Sequence, residues 1–117
     1  MKDKQKIKDQ LKIRRVIRIR AKINGSSTRP RLAVFRSLKH LSVQAIDDMV
    51  GKTLASALDT EVKGATRKEK ATLVGQLIAK KLLEKKIEEA IFDKRHYKYH
   101  GLVKLIADGA REGGLKF

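Results

Sequence analysis

Asp47, Asp48 and Asp93 stand at the ends of predicted strands, where converging carboxylates can hold metal ions for phosphodiester cleavage. Such a nuclease needs several acids in one place, and these three are the only strand-end candidates. The adjacent pair Asp47-Asp48 also suits a turn, where short carboxylates cap backbone amides. The three histidines, His40, His96 and His100, have no cysteine to join them, and Gly101 directly after His100 denies His96 and His100 a helical H-x-x-x-H context. No serine or threonine lies in a nucleophile-elbow pattern, and no glycine-rich loop resembles a phosphate cradle. The sequence predicts neither catalysis nor a metal or cofactor site.

The cations are a stronger signal. Residues 1–36 carry 13 Lys and Arg against 2 Asp, an excess of +11, out of a total of +16 for the chain. Lys12, Arg14, Arg15, Arg18, Arg20 and Lys22 belong to an arm more one-sided than solubility requires, and Arg29 and Arg31 extend the cationic run beyond it. Each such group can neutralise a phosphate, and arginine does so with bidentate geometry. A second cluster, Lys94-Arg95-His96-Tyr97-Lys98-Tyr99-His100, alternates cations with aromatic rings just after a predicted strand end. Tyr97 and Tyr99 either face a partner or pack on the core, while the cations between them face outward.

These groups need a scaffold. Through Lys22 the chain has no Gly or Pro, and its apolar residues follow neither a helical stripe nor strict alternation. The segment reads as a basic helical arm ordered mainly on binding. The run Asn24-Gly25-Ser26-Ser27-Thr28 is the hinge, and Pro30 biases Arg29 toward extended backbone. Strands are predicted over 31–37, 41–46 and 53–58 as an antiparallel meander, the first of them central, with Gly51 closing the second turn. Thr66 followed by Glu69 marks a helix start, and the helix reaches about Lys86. Ala90–Asp93 is a short strand laid parallel to an earlier one by a βαβ crossover. A last helix over Val103–Ala110 stops at Gly113-Gly114. The fold class is therefore mixed α/β, with helices packed on a mixed sheet. Residues 1–28 are arm and hinge, and residues 29–117 one globular domain.

A length of 117 residues allows a single core, and 41% hydrophobic content is enough to fill it. A net charge of +16 on so small a body calls for a polyanionic partner, nucleic acid or an anionic membrane. An interfacial membrane helix needs a cleaner apolar face than the arm has, and no apolar run is long enough to span a bilayer. With no secretory signal pattern and no cysteine, a soluble, cytosolic protein is expected. Aromatics make up only 4%, which favours structured RNA or duplex backbone over single strands read by rows of stacked bases.

The chain resembles, nearly end to end, the bacterial and organellar large-subunit ribosomal protein eighteen family. The matching stretches are the basic arm, Arg29–Ser37, Lys39-His40, Gln44–Asp48, Val74–Ala79, Phe92-Asp93, Tyr97–Gly101 and Ala110–Phe117. The resemblance implies a ribonuclease H-like topology without catalysis. It implies attachment of 5S rRNA to 23S rRNA in the central protuberance of the large ribosomal subunit, beside neighbouring 5S-binding proteins and without a small-molecule substrate. It adds Arg36, Ser37, Lys39 and His40 at the sheet end, and Lys104 and Arg111 on the last helix, to the expected RNA contacts. The chain departs from the family pattern at Leu38, Ser42 and Leu102, and at Arg95 and His96, where the family has two glycines. Non-glycine residues there exclude a backbone that needs positive φ, and Arg95 adds a cation.

Overall fold

The computed structural model describes residues 4–20, 24–95 and 97–117. Lys22 and His96, both named above, lie outside these residues, as does the side chain of Arg20. Helix α1 (Lys4–Arg20) is followed by strands β1 (Arg31–Arg36), β2 (Leu41–Asp47) and β3 (Lys52–Leu58). Helix α2 (Arg67–Glu84), strand β4 (Ile91–Asp93) and helix α3 (Leu102–Glu112) complete the chain.

The four strands form one mixed sheet in the order β3-β2-β1-β4. The meander β1-β2-β3 is antiparallel, as its alternating pattern predicts, and β4 lies parallel to β1 with Leu32 opposite Phe92. β1 is therefore internal, which is why Leu32, Ala33 and Val34 in succession are fully buried. On β2 strict alternation seals Leu41, Val43 and Ala45 against the helical layer. Helix α2 crosses from β3 to β4 over this face, burying Val74, Ile78 and Leu82, each worth about 1.5–3 kcal/mol by area.

Thr66 caps α2, its hydroxyl accepting from the Glu69 amide at 3.2 Å. The Glu69 carboxylate reaches one residue further back than a standard capping box, to the Ala65 amide at 2.9 Å. Helix α3 packs against α2 at close quarters. A Cβ at Gly75 would lie 2.1 Å from the Ile106 carbonyl oxygen, and one at Gly109 would lie 2.3 Å from that of Thr72. Only hydrogen fits at either crossing point. The outer edge of β3 is tied down by lysines of α2: Lys81 donates to the Ser56 carbonyl at 2.7 Å and Lys85 donates to that of Leu54. This protects an otherwise open strand edge. Lys81 also bonds Glu61 at 2.7 Å, which holds that carboxyl below the usual range.

Candidate nucleic-acid interface

The expected contacts fall into three groups. On α1, Lys12, Arg14, Arg15 and Arg18 stand on exposed turns with only Val16 half-buried among them. The helix is 17 residues long, roughly 25 Å of cationic rod. Arg29 is exposed in the hinge, where its amide donates to the Ser26 hydroxyl at 3.1 Å and closes a small turn.

The second group lies at one end of the sheet. Arg36, Ser37, Lys39 and His40 are all exposed on the β1-β2 turn. The turn is built by reciprocal bonds: the Ser37 amide donates to the His40 carbonyl at 2.9 Å, and the His40 amide to the Ser37 hydroxyl at 3.0 Å. His40 Nδ1 lies 3.3 Å from buried Asp59. Arg67, which the sequence reading passed over, braces the turn from the first residue of α2, donating to the carbonyls of Leu38 (2.8 Å) and Ser37. Arg36, Ser37, Leu38, Arg67 and Tyr97 line an open cleft of about 360 Å³. Nothing local in sequence marks Arg67, because the carbonyls it meets lie about thirty positions upstream.

The third group is the β4-α3 loop. Tyr97 is half-buried, and its polar end is engaged within the protein. Its hydroxyl donates to the Arg36 carbonyl at 2.9 Å and accepts from the Arg36 amide at 3.0 Å, so the half-buried ring clamps the loop to the end of β1. Lys94 turns back to the Tyr97 carbonyl at 3.1 Å. Arg95 adopts φ +58°, so the positive-φ backbone survives at a position where the family pattern carries glycine, against the expectation that a side chain excludes it. Its amide bonds the Asp93 carboxylate at 2.8 Å, and its half-buried guanidinium lies 4.4 Å above the Phe35 ring. Tyr99 is 41% exposed, packs edge-on against Phe92, and receives a hydrogen bond from Arg111 at 3.3 Å. Arg111 also covers Phe117 at 4.5 Å. His100 and Lys104 are exposed.

Arg31 corrects the sequence reading. It is 4% exposed, and carboxylates surround its guanidinium. Nε and Nη2 bond Asp48 at 2.9 and 3.0 Å, and Nη1 bonds fully buried Asp93 at 2.8 Å. The bond to Asp48 raises the Arg31 pKa above its ordinary value, against the opposing effect of burial, so the side chain stays charged and committed. Its burial and these bonds keep the guanidinium off the surface where the exposed cations stand. The same geometry answers the nuclease reading: an arginine sits between Asp48 and Asp93 where a catalytic metal would have to, and Asp47 accepts the Met49 amide within its own turn at 3.0 Å.

This arrangement leaves exposed cations on the arm, the β1-β2 turn and α3 while strand-end acids are spent internally. Comparison with known proteins agrees. Residues 6–117 match the model of the family described as ribosomal L18 of archaea, bacteria, mitochondria and chloroplast. The chain belongs to the ribosomal L18 family. It is 52% identical over 112 residues to the large ribosomal subunit protein uL18 of Lactiplantibacillus plantarum, covering 94% of this chain and 95% of that one. The uL18 protein of Thermotoga petrophila is 50% identical over 120 residues, with 97% and 98% covered. These relatives are structural proteins of the ribosome, a family not known to contain enzymes. Among the described residues of this L18 family member, no helix is long and apolar enough to cross a membrane.

Proposed function

We propose that this chain is a structural constituent of the large ribosomal subunit that binds 5S rRNA and helps attach it to 23S rRNA in the central protuberance, next to other 5S-binding proteins. The observation that carries the reading is the division of charge: the cations of α1 and of the turn at 36–40 lie exposed, while the acids nearest the sheet ends are engaged by Arg31, His40 and turn amides. A surface built this way attracts phosphate backbone and has no reacting group to offer it. The setting this reading assigns is a bacterial ribosome in the cytoplasm, with an organellar ribosome as the alternative. Ordering of the arm on RNA belongs to the same reading.

The test is the affinity of the full chain for 5S rRNA at several salt concentrations. Engagement of about six phosphates predicts a log-affinity against log-salt slope of roughly −4 to −5. A slope near zero, or equal affinity for any RNA of the same length, overturns it.

A further inference from the structure

One hydrogen-bonded chain runs from the root of the arm to the root of the β4-α3 loop. The Gly25 amide donates to Asp48 Oδ2 at 2.6 Å, and the Asp48 amide returns a bond to the Gly25 carbonyl at 3.1 Å. Asp48 holds Arg31 with both oxygens, Arg31 passes to Asp93 at 2.8 Å, and the other Asp93 oxygen accepts the Arg95 amide at 2.8 Å. Gly25 sits so close to the sheet that a Cβ there would lie 2.3 Å from the Ile46 carbonyl oxygen and 2.4 Å from the Arg31 amide nitrogen. The backbone of the hinge is therefore docked.

We infer that Asp48 and Asp93 are positioning residues for RNA binding: through Arg31 they fix the arm root relative to the loop, so that the cations of the arm and the exposed Lys98 and His100 of the loop meet one RNA surface preorganised. The inference rests on the RNA-binding reading above. Its physical basis is effective concentration. When the first segment is bound, the second must find its site within a narrow volume, and a loosened root dilutes it. Multiply bonded carboxylates, Asp93 fully buried and Asp48 half-buried, suit the task because their geometry is determined from several sides at once.

The decisive feature is a sign. Asp48→Asn removes a negative charge from a protein of net charge +16, so long-range attraction alone predicts tighter RNA binding. The positioning role predicts the reverse, a loss of about tenfold. Gly25→Ala keeps every charge of the network but sets a methyl group against the Ile46 carbonyl and the Arg31 backbone, which lifts the hinge, and it is expected to lose a similar factor. The native chain has no cysteine, so nitroxide labels can be placed at Ser27→Cys in the hinge and Lys98→Cys in the loop. Their distance distribution in the free, full-length protein is expected to be narrow, and to broaden in Asp48→Asn and Gly25→Ala. Affinity for 5S rRNA is measured at a temperature where thermal unfolding shows each variant folded. Unchanged widths overturn the clamp. Broadened widths with unchanged or tighter binding overturn its role toward RNA. If the unlabelled parent does not bind 5S rRNA, the RNA-binding reading has failed with the positioning role, while the widths still report on the clamp.

Discussion

Along α1 the apolar side chains Ile7, Leu11, Ile13 and Ile17 stand 44–61% exposed, whereas Val74, Ile78, Val103 and Ile106 on α2 and α3 are sealed to 1% or less. Both regions are helical and carry apolar residues in every turn, so apolar content alone does not separate them. Pattern does. On α2 and α3 the apolar residues repeat on one stripe, with Gly75 and Gly109 letting the backbones touch. On α1 they are scattered among cations, and no stripe exists to bury. A helix that cannot pack intramolecularly can devote its whole surface to a partner, and the partner that fits eight lysines and arginines against one aspartate is polyanionic.

The strongest way to break this contrast is at Gly75. Alanine is the better helix former by about 1 kcal/mol, yet its methyl group would meet two backbone atoms that cannot retreat without separating the helices. Gly75→Ala is expected to cost about 2–3 kcal/mol, lowering the melting temperature by roughly 10 °C or more in a thermal scan. Retained stability would mean that the helices pack less closely than described.

The opposite experiment addresses α1. Arg14→Ala, Arg15→Ala and Arg18→Ala together are expected to move the melting temperature by no more than about 2 °C, because exposed substitutions away from packed features change little. The salt slope for 5S rRNA binding should fall in magnitude by roughly 2 to 3 if all three arginines meet phosphates. An unchanged slope would make the arm an ordinary solvated helix.

Local patterns were enough to find the meander, the Thr66 cap and the glycine stop of α3, because each depends on neighbours within a few residues, and the handedness of a βαβ crossover laid β4 parallel to an earlier strand. The fates of individual side chains were not legible in the same way. Arg31 looked like one more cation of the basic segment. What buries it is a pair of carboxylates 17 and 62 residues away, brought together only by the pairing of β4 with β1. Tyr97 meets Arg36 across 61 residues for the same reason. The ambiguity between a packed and a partner-facing tyrosine is therefore resolved by topology: Tyr97 is a clamp, and Tyr99 leans on Phe92 while keeping 41% of its surface open.

The finest comparison uses two non-glycine residues at positive φ, Lys86 at +62° after α2 and Arg95 at +58° in the loop. A left-handed backbone costs an L-residue about 1–2 kcal/mol, part of which is returned on substitution by glycine, which in turn loses more conformational entropy on folding. Lys86 ends α2 where glycine is the usual occupant, with the Ile87 amide bonding the Leu82 carbonyl at 2.9 Å, and its side chain is exposed. Lys86→Gly should therefore stabilise the protein by about 0.5–1 kcal/mol. Arg95→Gly relieves the same strain but removes the guanidinium from the Phe35 ring, an interaction worth about 0.5–1 kcal/mol, so its net effect should be near zero. Denaturant unfolding of the two variants measures the difference between them directly. Equal stabilisation would show that the Arg95 contact contributes nothing to the fold, leaving its cation for RNA alone. A smaller gain at Arg95 would show that the loop cation is held on the sheet, in contrast to those of α1, by an interaction within the protein.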